Sequence, residues 1–196
     1  MGLRARCMRF LDRGNGSGVW QIRCETGDES ARACVSCGCV CRVRTSRERT
    51  VVHVPLGSDA IHLKVRVCTY ECVTCARMWH DDLKALVSGR TLLSRAAVDW
   101  ALRRVALESA SISACARTLG CSWNALDRAV RAHGMRILSR SDPYARVTRI
   151  GVDEHVWRHG ASGDRYVTVI VDLTPRADGA PARLLDMVPG RSAQAF

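Results

Sequence analysis

The sequence predicts a multi-module α+β protein, and three observations carry that expectation. Two Cys-x-x-Cys pairs, "CVSC" and "CVTC", bracket two segments of alternating polarity. Residues 91 to 134 then change to a helical period with a glycine in their midst. After "SRSDPYARV", where Pro143 and the residue before it disfavour helix, three short apolar-alternating segments follow. These signals divide the chain into an arm at 1–33, a cysteine-rich module at 34–80, a helical module at 91–136 and a strand module at 150–196.

Residues 1–33 hold two turn-rich clusters, "DRGNGSG" and "ETGDES", around the short alternating piece "VWQIRC". They are expected to form a loosely structured arm. The start, "MGLRARCMRFLDRG", is basic but has neither the apolar stretch nor the small-residue cleavage site of a secretory signal. No run approaches the roughly 18 to 20 apolar residues of a membrane helix. A cytoplasmic protein with no membrane partner is expected.

Eleven cysteines in a chain without a secretion signal point to metal or free thiols rather than disulfides, and seven of them fall in the second module. Cys34 with Cys37, and Cys72 with Cys75, are two knuckles that each let two thiolates bite one ion from a tight turn. Together they complete the four-sulfur tetrahedral shell that zinc prefers, at about 2.3 Å per bond. Between them, "RTVVHVPL" and "AIHLKVRVCTY", separated by "GSD", read as a β-hairpin that closes the site. The spacer of 34 residues exceeds the usual ribbon spacing, so an arginine-rich hairpin extended by that length is expected. Cys39, Cys41 and Cys68 crowd the same region and compete as ligands, as do His53, His62 and His80. A redox role for the pairs would need a βαβ context that the pattern lacks.

The third module begins with a helix from 91 to about 108, on which Leu93, Ala97, Trp100, Ala101 and Val105 share one face. In "SISACARTLGCSWNALDRAVRAHG", Ile112, Cys115, Ala116 and Leu119 mark a short helix. Gly120 supplies a permissive turn, and Ser122 caps a second helix with Ala125, Leu126, Ala129 and Val130 inward. Trp123, Asn124, Asp127, Arg128 and Arg131 are left outward. Amide and guanidinium groups at the start of a second helix suit base edges and phosphates in a major groove. Ser122, Trp123, Asn124, Arg128 and Arg131 are therefore expected to contact DNA, with Arg104 on the first helix adding a phosphate contact. A plain helical hairpin shares the pattern.

Charge is unevenly spread. Lys and Arg outnumber Asp and Glu by 12 in residues 1–149, whereas residues 150–196 carry a net −1. Only Lys64 and Lys84 are lysines. The basic part is expected to face a polyanion, most simply nucleic acid, while the remainder does something else.

That remainder reads as three strands, "RIGVDEHVW", "DRYVTVIVDLT" and "ARLLDMV". Asp153, Asp172 and Asp186 lie one on each. A carboxylate at a strand end binds a divalent metal when neighbouring strands supply others, though Asp is also common there as turn chemistry. Glu154 points to the opposite face from Asp153 by the period of a strand.

A four-cysteine finger, an arginine-rich hairpin, a helix-turn-helix and "GVDEHVWRHGASGDRYVTVIVDLT" followed by "ARLLDMVPGRSAQAF" resemble the ISL-three family of bacterial insertion-sequence transposases. The resemblance runs from about Cys34 to the last residue and is strongest from Ile150 onward. It implies that 150–196 is the start of a ribonuclease H-like domain, in which carboxylates of the Asp-Asp-Glu type hold two magnesium ions that cut and join DNA. The Asp of "GVDE" matches Asp153, which makes it the first catalytic carboxylate and a magnesium ligand. Asp172 and Asp186 match no catalytic position. Members continue well past "GRSAQAF", where their second Asp and final Glu lie, so a truncated site without cleavage activity is expected. The implied function is recognition of the element's terminal repeats in double-stranded DNA, with structural zinc, with magnesium only in a complete catalytic domain, and with self-association open. The alternative is a non-cleaving DNA-binding protein or transcriptional regulator with the same finger and helix-turn-helix.

Overall fold

The computed structural model describes residues 3–14, 16–26, 33–87, 91–140, 142–157, 165–177 and 179–191. The chain forms two compact units, residues 1–136 and 137–196. Its secondary structure is mixed, with three helices and two sheets among the described residues.

A long hairpin organises the first unit. β3 (Cys41–Leu56) and β4 (Asp59–Cys72) pair antiparallel from Leu56 opposite Asp59 down to Cys41 opposite Cys72. Gly57 turns the tip with φ +61°, in the left-handed region that glycine enters at no steric cost. Along β4, Leu63, Val65 and Val67 are buried on one face while Lys64 and Arg66 alternate onto the other. β5 (Met78–His80) returns against Thr69, Tyr70 and Glu71.

Where a loose arm is expected over 1–33, the described residues 3–14 and 16–26 contain two strands. β1 (Leu3–Asp12) and β2 (Gly18–Thr26) form an antiparallel hairpin, and β2 lies parallel to β4 from Val19 opposite Ala60 to Glu25 opposite Arg66. The sheet order is β1-β2-β4-β3. β1 is exposed along nearly its whole length, so it carries no apolar stripe to read. β2 contributes Cys24 to a core with Val51, Leu63, Val65, Leu83 and Val87, residues far away in sequence.

The three helices pack on this sheet. Residues 91 to 94 run beside β3, where the Val52 N–H donates to Leu92 O at 2.7 Å and the Ser94 N–H to Val52 O at 2.9 Å. This pairing delays the first helix, α1 (Arg95–Glu108), to four residues past its expected start; Ser94 caps it, its hydroxyl accepting from Ala97 N at 3.1 Å. α2 (Ile112–Leu119) is capped by Ser111, and α3 (Trp123–Leu138) follows Gly120. One core joins Val52 of β3 to Leu93, Ala97, Ala101, Leu119, Leu126 and Val130. Leu93, Leu119 and Leu126 are fully buried, each worth about 1.5–3 kcal/mol by the area rule.

In the second unit, β6 (Ile150–Val156), β7 (Tyr166–Asp172) and β8 (Arg183–Pro189) form an antiparallel sheet with β7 in the middle, over the three segments predicted. Among the described residues, no helix is long and apolar enough to cross a membrane.

Candidate metal centre and nucleic-acid interface

The register of the long hairpin builds the cysteine site. Cys41 and Cys72 lie opposite each other at its open end, so the "CVSC" turn before β3 meets the "CVTC" turn after β4. The sulfurs of Cys34, Cys37, Cys72 and Cys75 all lie within 4.8 Å of one another. Cys34 to Cys75 is 3.6 Å, Cys37 to Cys72 is 3.5 Å and Cys37 to Cys75 is 3.8 Å. Four sulfurs at about 2.3 Å from a central zinc would stand about 3.8 Å apart, so the donor set fits that ion. A disulfide requires about 2.05 Å.

The backbone prepares the first thiol of each knuckle to ionise. Amides of Ser36 and Cys37 point at Cys34 and hold its pKa below the usual thiol value. Amides of Cys75 and Thr74 do the same for Cys72, whose pKa falls to about 6. At Cys37 the Cys39 amide favours the thiolate, but the sulfurs of Cys72 and Cys34 and the loss of water outweigh it and push the pKa up. Cys75 behaves likewise against the Arg77 amide. Four neighbouring thiols thus compete for negative charge, and a bound divalent cation removes the conflict.

The competing candidates fall outside this group. The Cys41 thiol points to Cys39 O at 3.4 Å, and burial raises its pKa to about 11. Cys39 and Cys68 pack against the cluster formed by Cys34, Cys41, Tyr70 and Cys72. His53 bonds Ser94 Oγ at 2.9 Å, His62 bonds Leu119 O at 3.3 Å, and His80 lies on β5. A prop that sequence reasoning missed is Asp81. Its buried carboxylate accepts the Cys68 amide at 2.7 Å and the Tyr70 hydroxyl at 3.2 Å, tying β4 to the chain beyond β5. Its position just after an irregular three-residue strand gave no periodic signal.

The α2–α3 turn rests on the sheet. Gly120 has φ +66°, and a Cβ there would stand 2.8 Å from Arg13 Nη2 and 3.2 Å from both Ala60 Cβ and His62 Nε2. Glycine is required on both counts. Ser122 opens α3, its hydroxyl accepting from Ala125 N at 3.3 Å. Trp123, Asn124 and Arg128 are exposed at the start of the helix, with Arg128 Nε donating to Asn124 O at 3.2 Å. Arg131 is exposed but ion-paired at 3.0 Å with Asp127, which is half-buried rather than fully outward. Arg104 pairs with Glu108 at 2.7 Å and lies over the Trp100 ring.

The carboxylates of the second unit do not converge. Asp153 stands opposite Val169, and Val169 opposite Met187. Asp172 and Asp186 belong to the alternate rows, with Ile150 and Ile170 respectively, and so project from the other face. Asp153 is exposed, its carboxylate turned to the Glu154 amide at 2.9 Å. Asp172 is buried, accepts hydrogen bonds from Thr174 and pairs with Arg176 at 2.9 Å and Arg183 at 3.1 Å. The Thr174 donors, then the two arginines, hold its pKa far below the usual carboxylate range. Among the described residues, the four cysteines form the single group of three or more ligand side chains, so those around Asp153 do not by themselves form a magnesium site.

Comparison with protein-family models, with curated proteins and with solved structures finds no match.

Proposed function

We propose that the chain is the DNA-binding N-terminal part of an insertion-sequence transposase similar to the ISL-three family, and that it recognises the terminal repeats of its element through α3. The observation that carries this reading is the exposed first turns of α3. Trp123, Asn124 and Arg128 stand free of the core there, behind a short α2 and a glycine turn, in a chain whose first 149 residues hold an excess of 12 positive charges. In this reading α3 enters the major groove, Asn124 pairs with a base edge, and Arg128 and Arg131 meet base or phosphate. Arg104 reaches a flanking phosphate. Zinc on the four thiolates clamps the ends of the long hairpin and supplies no chemistry to DNA. Residues 150–196 are the beginning of a ribonuclease H-like domain with Asp153 as its first carboxylate. In this reading DNA recognition falls to the first unit, and Asp153 has no carboxylate beside it in its cross-strand row.

The test is selection from a pool of random duplexes by the zinc-loaded chain. An enriched sequence that recurs as an inverted pair flanking the gene supports the proposal, together with loss of that preference in Asn124→Ala. Enrichment of no sequence overturns it.

A further inference from the structure

The sheet has two faces of different character. Leu63, Val65 and Val67 of β4 lie on the apolar one, under Leu83 and Val87. The other carries Ala60, His62, Lys64 and Arg66. The helices cover only one end of this second face, where His62 Nε2 meets Leu119 O and Gly120 abuts Ala60.

The uncovered end is basic. Cross-strand register places Arg23 beside Lys64, Glu25 beside Arg66, and Glu48 on the far side of Arg66. From β1, Arg4 stands opposite Glu25 and Arg9 opposite Gln21, while Arg6 reaches Glu25 at 2.7 Å. Six cations therefore share the face with two carboxylates, an excess of four. The carboxylates are engaged: Glu25 meets Arg6 and Arg66, and Glu48 meets Arg23 and Lys64, three of these four contacts as long as 3.9 Å. Arg23 and Arg66 expose more than half of their side chains.

We infer that this face is a second nucleic-acid contact surface, which grips the phosphate backbone of a DNA duplex beside the segment that α3 reads. The inference rests on the DNA-binding reading and extends it from the helices to the sheet. Lys64 and Arg66 lie one and two strand periods from His62, or about 7 and 13 Å. That is the scale of the about 12 Å major groove, so a duplex seated on α3 brings a flanking phosphate strand over these residues. A phosphate fits better than a protein carboxylate partner because the long 3.9 Å contacts leave guanidinium donors open, and planar guanidinium forks suit phosphate oxygens. Contacts of this kind position the duplex and carry no sequence information.

The experiment measures the salt dependence of duplex binding for the zinc-loaded full chain and two variants. Arg23→Gln/Lys64→Gln/Arg66→Gln is expected to lower the slope of log K against log salt by about 2 to 3 while leaving the preferred sequence unchanged. Glu25→Gln/Glu48→Gln is expected to raise affinity and steepen the slope, a gain that misfolding cannot produce. If the parent chain binds no duplex, the DNA-binding reading itself fails. If the parent binds with a slope that neither variant changes, that reading stands and the sheet surface is overturned. Loss of sequence preference in the triple variant also overturns it, because a backbone grip cannot select bases.

Discussion

Cys37 and Cys72 bring their sulfurs to 3.5 Å although they stand 35 positions apart in the sequence. The long hairpin makes this possible, since pairing from Leu56 with Asp59 to Cys41 with Cys72 returns the chain to its starting point. One zinc per chain is expected by elemental analysis. Cys72→Ser is expected to lose the metal, whereas Cys41→Ser is expected to keep it, because Cys41 lies outside the four-sulfur group. Retention in the first variant or loss in the second would refute the ligand assignment.

His53 ties acid stability to the start of α1. Ser94 Oγ accepts from Ala97 N at the helix start and lies 2.9 Å from His53 Nδ1, so the half-buried imidazole shares the cap of α1. Burial lowers the His53 pKa below its ordinary value. A depressed histidine stabilises the fold above the unfolded pKa of about 6.5, and that stability is lost as pH falls through the folded value. The stability gap between the parent and His53→Asn is expected to shrink from pH 8 to pH 5 in urea titrations; a constant gap would rule out the coupling.

Gly120→Ala meets strain twice, from φ +66° and from a Cβ within 3.2 Å of Ala60 and His62. A loss of about 1–3 kcal/mol in denaturant unfolding is expected. Unchanged stability would mean that the α2–α3 turn does not rest on the sheet as described.

Arg104 and Asn124 are expected to separate in DNA binding. Arg104→Ala should weaken all duplexes alike and reduce the salt slope by about 1. Asn124→Ala should cost about 1–3 kcal/mol at one base position and little elsewhere. Equal losses on every duplex from both changes would refute base reading by α3.

The two aspartates of the second unit are expected to behave oppositely. Asp172→Asn removes the charge that Arg176 and Arg183 share and should lower the melting temperature by about 5 °C or more. Asp153→Ala, a change at an exposed residue that makes no ion pair among the described residues, should leave melting within about 1 °C. A drop at Asp153 as large as that at Asp172 would contradict the burial difference.

What the sequence reveals tracks how local each interaction is. The cysteine knuckles, the Gly57 tip and the alternation of β4 are local patterns, and each appears in the structure where the spacing puts it. Ser94 and the late start of α1 were hidden because residues 91 to 94 follow helical spacing yet pair with β3. β1 was illegible because a strand exposed on both faces has no period to detect. β2 is held by a partner strand far along the chain, and Asp81 by Tyr70 and Cys68, neither of which its neighbours in sequence announce. The opposed faces of Asp153 and Asp186 depend on register between strands, which period alone does not supply.

The parallel pairing of β2 with β4 imposes a timetable on the growing chain. Gly18 reaches its partner Asp59 across 41 residues, which take about 2 to 8 seconds to synthesise at about 5–20 residues per second. In the finished fold Val19 and Cys24 are buried, and β4 supplies Leu63 and Val65 to the core that holds Cys24. β3, made in between, belongs on the other side of β4, so β2 cannot take its place in the sheet until β4 has been made. The part of the chain born first therefore waits for a partner strand made later.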